Sequence, residues 1–487
     1  LRLVGGLTGA TAGRLWWTGA AILLILGGAA AALHLPAGDT FVEIATGKLI
    51  MAKGLGATST FMAGKSIPLD LRSWLLDLGL AELYRAGGVS ALEVVGAVAG
   101  ALPGGLALFA IWRARVGHPL AAIVVVGIAL LALSPLLTSL STDLLAILTA
   151  LLVICLQGVR EGKGWSAAAL LLLMVAWANL QPLAVVVALV ILVTLALAFS
   201  DRRRGRIAAG PKGWLLPAVL LAVCVNPRGP LIYSQLPLGL GQGGEYPFVS
   251  GWTSINFHPL SSRLAELVGF ILIFSYVVAG GRLRRPDTFL GLVFAVMSLL
   301  WSIYLPLFLV IAAVQGSEYL GGWLSQNQNR VGSSRGIPRW AVAAALVPAL
   351  LGLALVARSG LQAERQGGPS QQLSRQLPVA AATWLEAHPS QGSWYTTPAF
   401  GDYLATRATI GQRLVCTSDP IATGTARLAD CEQLAVLNHG AVAVLDRLRV
   451  GLAVLPPAAP EVAFLKAEGW HIRYRGEAAL VLSPSNL

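Results

Sequence analysis

Long apolar runs, interrupted by short polar clusters, set the pattern of this chain. A membrane-spanning helix needs about 20 mostly apolar residues. On that scale the runs predict spans at 16–37, 89–112, 117–134, 140–158, 165–178, 181–199, 214–226, 264–281, 287–302, 304–324 and 340–358, or about 11 transmembrane helices. No cleavage site follows the first run, so it reads as a retained helix. Between the first two runs lies a segment, 39–88, with helical but non-spanning periodicity. In DTFVEIATGKLIMAKG, Asp39 and Glu43 are four apart and share one helix face. Ile44, Leu49 and Ile50 give the same segment an apolar side, as an interfacial helix requires. A second amphipathic piece, RSWLLDLGLAELYRAGG, fills 72–88. After residue 358 the pattern changes. A linker at 359–373 is rich in Gln, Gly and Ser, and a helix-like stretch follows at 374–388. Five short segments then read as strands: SWYTT, RLVC (413–416), AVAVL (441–445), HIRYR (471–475) and AALVL (478–482). The expected organisation is a polytopic α-helical membrane domain over 1–358, the linker, and a small α/β domain over 374–487.

Composition agrees with that pattern. Of the 487 residues, 56% are hydrophobic and only 12% charged, about half the ~25% of soluble domains. The mean hydropathy is +0.71. An ordinary soluble enzyme and a disordered chain are excluded. The net charge of +12 does not point to nucleic acid, because the basic residues sit in clusters between apolar runs. Arg113 and Arg115, Arg160 and Lys163, Arg202 to Arg206, Arg282 to Arg285, and Arg330 to Arg339 mark alternate loops. The intervening short loops are nearly free of Lys and Arg, and the long 227–262 loop holds only Arg228. The alternation predicts a cytoplasmic N-terminus, with 39–88, 227–262 and the tail domain on the other side of the membrane.

Asp39 opens the first of these exterior segments. As a residue type it is equally an N-cap and a candidate acid–base group. Its position just outside the first span gives it a context. DTFVEIATG at 39–47, RSWLLD at 72–77, WANLQP at 177–182, NPRG at 226–229, SGW at 250–252 and FGDYL at 400–404 follow one another in order. This ordered set resembles the GT-C superfamily of membrane glycosyltransferases, and within it a bacterial branch with an exterior tail domain. The resemblance implies a lipid-linked donor, a polyprenyl-phosphate sugar reached from the membrane, and an exterior acceptor. It implies that Asp39, with Glu43 beside it, takes the acceptor proton, and that Lys48, Arg72 and Arg228 face the donor phosphate. It also implies a bacterial inner or internal membrane, with membrane lipids and other membrane subunits as partners. Several polar positions depart from the pattern: Val42-Glu43 replaces Trp-His, Arg72-Ser73-Trp74 replaces His-Glu-Trp, Gln181-Pro182 replaces His-Gly, and Gly251-Trp252 replaces Glu-Trp. Two readings stay open: a transferase with a changed substrate, and a catalytically silent structural subunit.

No cofactor is required by this pattern. Asp39 and Glu43 could share a divalent cation, but a hard cation wants about six oxygens, and no metal-ligand set is evident. His34, His118 and His258 lie at span ends or in a loop, away from positions that ligate a membrane haem. The GGEYPFVSGW stretch reads either as a flap over a lipid-phosphate site or as an aromatic anchor. Acids are scarce within the spans; Asp143 lies near one end, so a transporter with a mid-membrane relay is disfavoured. Cys155 and Cys224 fall in apolar runs and are expected as free thiols. Cys416 and Cys431 fall in the tail domain, 15 residues apart across a strand-to-helix return. They read as a disulfide on an oxidising side of the membrane, or as two buried thiols.

Overall fold

The computed structural model describes residues 38–56, 58–59, 67–69, 71–114, 116, 118–136, 139–207, 209–240, 251–331, 373–388, 392–407, 413–419, 423–437 and 440–485, with Thr18 and Ile22. The expected spans 16–37 and 340–358, the linker up to residue 372 and all but the last two residues of the GGEYPFVSGW stretch lie outside the described residues, as does the Asp39 side chain.

Among the described residues, the helices of nine or more residues in the first two-thirds of the chain are α1 (Gly38–Lys53), α2 (Trp74–Arg113), α3 (Pro119–Leu133), α4 (Leu140–Arg160), α5 (Gly164–Leu180), α6 (Ala184–Arg203), α7 (Leu215–Val223), α8 (Leu260–Ala279), α9 (Arg285–Leu300) and α10 (Leu305–Val331). Nine of the eleven expected spans fall on α2 to α10. Among the described residues, five helices are long and apolar enough to cross a membrane: α2, α4, α6, α8 and the stretch Ser302–Gln326. Helix α2 breaks at Gly87–Gly88, where Gly88 adopts φ 61°, a backbone region that glycine enters without a Cβ clash. The break falls where the amphipathic pattern of 72–88 gives way to the apolar run of 89–112.

The chain divides into two compact units. The first contains Glu93–Gly239 and Ser254–Leu361, with the N-terminal residues to His34. Its central helix is α10, which packs on α3, α4, α8 and α9. Outward faces carry apolar side chains such as Phe270, Val277 and Leu172, each at least 60% exposed, as lipid-facing helices do.

The second unit joins Leu35–Leu92, Leu240–Thr253 and Gln362–Leu487. Thus the 39–88 segment, assigned from sequence to the membrane domain, clusters with the tail. Among the described residues the tail contains the helices α11 (Val379–Ala387), α12 (Pro398–Ala405), α13 (Thr425–Ala435), α14 (Ala441–Arg447) and α15 (Pro460–Ala467). Its four strands are β1 (Ser393–Thr396), β2 (Val450–Leu455), β3 (Trp470–Arg475) and β4 (Leu480–Pro484), in the order β1-β2-β4-β3. The β1–β2 pair is parallel; the other two pairs are antiparallel. Two sequence expectations are corrected. AVAVL is helix α14: Ala441, Val444 and Leu445 are buried, an i, i+3, i+4 spacing, while Val442 is 38% exposed. The strand is the next run, VGLAVL, buried at every position of β2. RLVC contributes only a single parallel bridge, Leu414 to Trp394.

Candidate functional site

The acidic pair of the sequence maps to α1. Positions 39 and 43 are one helical turn apart, in the first two turns. Glu43 is half-buried. Helix α1 is not an interfacial helix with one free polar face: Phe41 and Ile44 are fully buried, and Val42 and Ile50 are 5% exposed. It packs on α12 of the tail, with the Phe41 ring edge-on to Tyr403 at 5.2 Å and to Tyr84 at 6.4 Å.

Two motif glycines set this packing. A Cβ on Gly47 would lie 2.0 Å from the Asp77 carbonyl oxygen and 2.8 Å from the Ala81 Cβ. Helices α1 and α2 therefore touch backbone to backbone at a point no other residue permits. A Cβ on Gly401 would lie 2.0 Å from the Cys416 carbonyl oxygen, so α12 rests directly on the chain leading to the disulfide. The next residue, Asp402, is fully buried and accepts a hydrogen bond from the Ser418 amide at 2.8 Å. In RSWLLD, the Ser73 hydroxyl donates to Asp77 at 3.1 Å, and Asp77 is 2% exposed.

The motifs of the helical unit are also built into its frame. Asn179 at the end of α5 donates from Nδ2 to the Val175 and Val225 carbonyls, both at 2.7 Å. Gln181 donates to the Ser141 carbonyl at 2.7 Å, tying α5 to the start of α4. The Arg228 amide donates to the Asn226 side chain at 2.8 Å, forming the turn that NPRG encodes. Trp177 is fully buried.

The cations assigned to the donor phosphate have different surroundings. Lys48 donates from Nζ to the Thr406 carbonyl at 3.4 Å and sits 4.9 Å from the Tyr84 ring centroid. Burial, and then the positive charge of Arg407, push its pKa below the ordinary lysine value. Its ammonium thus joins α1 to the tail. Arg72 is half-buried in the same unit; Arg228 caps a turn in the helical unit. Among the described residues no three His, Cys, Asp or Glu side chains gather as a metal group. Asp143, one turn into α4, is 2% exposed, and its Oδ1 has no hydrogen-bond partner among the described residues. Its burial was not legible from its place near a span end.

Cys416 and Cys431 form a disulfide with Cα atoms 6.0 Å apart, inside the tail core beside Tyr395, Leu434 and Val444. Cys155 and Cys224 are free thiols.

No protein-family model matches the sequence, and no curated protein does. Solved structures do. The chain is similar to the archaeal oligosaccharyltransferase AglB from Archaeoglobus fulgidus in complex with an inhibitory peptide and a dolichol-phosphate. The TM-score is 0.57 at 11% identity, over 90% of this chain and 69% of that one. It is also similar to the Archaeoglobus fulgidus oligosaccharyltransferase tethered with an acceptor peptide containing the NVT sequon via a disulfide bond. There the TM-score is 0.56 at 12% identity, over 96% of this chain and 74% of that one. Identity this low speaks for architecture alone: the chain shares the fold of these oligosaccharyltransferase structures, the GT-C-type architecture expected from the ordered motifs.

Proposed function

We propose that this chain transfers a glycosyl group from a polyprenyl-phosphate-linked donor to an acceptor hydroxyl on the non-cytoplasmic side of a bacterial membrane. The observation that carries the reading is the GT-C-type fold with an acid in the first turn of α1 and a second one turn later. In the reaction the acceptor oxygen bonds to the anomeric carbon as the carbon–oxygen bond to the phosphate breaks. Asp39 takes the acceptor proton, and the phosphate leaves with the bonding pair. Arg72, in the same unit as Asp39, offsets the charge on the departing phosphate. Lys48, engaged with Thr406 and Tyr84, serves instead to fix α1 on the tail. The disulfide in the tail suits an oxidising compartment.

The test is turnover of Asp39→Asn with a polyprenyl-phosphate sugar donor. Loss of a general base lowers turnover by ~100-fold or more, while loss of a cap costs only about 1 kcal/mol. Near-normal transfer by the folded variant removes Asp39 from the mechanism.

One observation favours a second reading, a silent GT-C-fold subunit of a membrane complex. The framework residues that persist, Gly47, Asn179, Asn226 and Gly401, have architectural work, whereas several of the ionisable positions are altered. A wild-type protein that neither binds the donor nor turns over, yet co-purifies with fixed membrane partners, identifies that role.

A further inference from the structure

The helical unit carries a second polar site, at the end of the bundle where α2, α4 and α6 finish and α5 and α9 begin. A cavity of about 1390 Å³ opens there, larger than the ~300–1,000 Å³ of ordinary ligand pockets. Six basic side chains line it against three acidic ones. Each acid is shared by two cations. Glu161 meets Arg113 at 3.2 Å and Lys163 at 2.5 Å. Asp201 meets Arg206 at 3.1 Å and Arg285 at 3.4 Å. Glu318 meets Arg284 at 3.0 Å and Arg160 at 4.0 Å. Beneath them Asp287, 7% exposed, takes the main pairing of Arg160 at 2.6 Å.

Counting Asp287, the acids still leave an excess of positive charge. The geometry of the arginines shows where that excess is available. Arg206, Arg284 and Arg285 each give only Nη1 to a carboxylate, and their side chains are about half exposed. The rest of each guanidinium fork has no protein acceptor among the described residues. Planar forks of this kind match phosphate oxygens. The same end of the bundle presents Trp112, Trp165 and Trp214, each more than 50% exposed, with the Arg113 guanidinium 5.5 Å from the Trp165 ring centroid. Exposed tryptophans at helix ends mark the headgroup level of a bilayer.

We infer that this cavity binds a phosphate-bearing anion at the membrane surface, through the open forks of Arg206, Arg284 and Arg285 and the half-exposed ammonium of Lys163. Its chemistry fits the phosphate of an anionic phospholipid headgroup, or of a free phosphomonoester, which carries about −1.5 to −2 charge at pH 7 against −1 for the lipid's phosphodiester. It does not depend on Asp39 or on the transfer reaction.

The charge sharing permits a clean variant. K163Q/R206Q/R284Q removes three cations, yet Glu161 keeps Arg113, Asp201 keeps Arg285, and Asp287 and Glu318 keep Arg160. R203Q/R204Q/K212Q removes the same charge from nearby positions that do not line the cavity. The full chain, in detergent, is titrated with phosphatidylglycerol and with phosphatidylcholine and read by native mass spectrometry. At about fivefold per cation near a membrane surface, the cavity variant should bind phosphatidylglycerol on the order of 100-fold more weakly. The control should change less than about threefold, and phosphatidylcholine should bind neither variant differently. Equal losses in both variants, or none in the cavity variant, overturn the inference.

A measurement on the wild-type chain covers a cavity variant that fails to fold. A photoactivatable phosphatidylglycerol should crosslink to peptides holding 160–165, 201–207 and 283–286; crosslinks spread evenly over other loops overturn it. Competition with glycerol 3-phosphate separates the sources. Displacement of the lipid identifies a soluble phosphomonoester as an occupant, and retention of the lipid identifies the diacyl headgroup; both keep the site.

Discussion

The two compact units solve the problem of unique packing by different means. In the helical unit the contacts that specify geometry are polar and lie at helix ends. Asn179 and Gln181 tie α5 to its neighbours at one end, and Arg160–Asp287 with Tyr319 joins α4, α9 and α10 at the other. In the mixed unit they are steric and covalent: the backbone contacts at Gly47 and Gly401, the ring cluster of Phe41, Tyr84 and Tyr403, and the disulfide. The difference follows from solvent. Between lipid-facing helices apolar burial gives little preference for one neighbour over another, so hydrogen bonds and ion pairs carry the choice. In water, apolar burial supplies the driving force and close fit supplies uniqueness.

The contrast can be tested from its strongest element downward. Asp287→Ala leaves Arg160 buried without its main partner, and Tyr319 without its acceptor on Asp287. It should destabilise the helical unit by about 3–5 kcal/mol, read as a lowered midpoint for that unit alone. An unchanged midpoint would show that the ion pair does not specify the bundle. Replacing Cys416 and Cys431 by Ser should cost the mixed unit about 3 kcal/mol through the loop it no longer closes. Limited proteolysis would then release tail fragments while α4 to α10 stay protected; loss of both units together would refute the separation. Asn179→Ala removes two hydrogen bonds and orphans the Val225 carbonyl, for about 1–3 kcal/mol, again in the helical unit.

The smallest effect is a pH dependence in the mixed unit. Burial and Arg407 lower the Lys48 pKa in the folded state, so its charged form is penalised there relative to the unfolded chain. That penalty is present in full below the folded pKa. It is relieved as pH rises from the folded pKa towards the ordinary lysine value. Stability of the mixed unit should therefore gain on mild alkalinisation in the wild type and not in Lys48→Met. Parallel profiles for the two proteins would show that Lys48 stays fully charged.

Much of this architecture was legible because a single force wrote it. Apolar length located α2 to α10, and the shift in periodicity at residue 88 coincided with the break at Gly87–Gly88. Cysteine placement offered two readings of Cys416 and Cys431, a bridge or two buried thiols, and the fold contains the bridge. The tail was harder, because AVAVL and VGLAVL have nearly the same composition and only the burial spacing separates helix α14 from strand β2. The candidate site was legible in its place on α1 but not in its contacts. Lys48 looked like any interfacial cation until the fold laid it beside Thr406 and Tyr84. The basic cavity was invisible for a related reason: Arg160, Asp201 and Arg285 belong to separate loop clusters whose convergence depends on how the helices assemble.

Gly47 has one more consequence, for the phase of α1. Because its Cα face is pressed on the Asp77 carbonyl, that residue is a fixed index mark on the helix. Position 43 then stands about 6 Å along the axis from the mark, and position 39 about 12 Å. Inserting one residue between Glu43 and Gly47 would leave the crossing intact but swing both acids through roughly 100° about the axis. The glycine thus dictates the direction in which the acids face without touching either, and the spacing between acid and glycine is as much a part of the candidate site as the acids themselves.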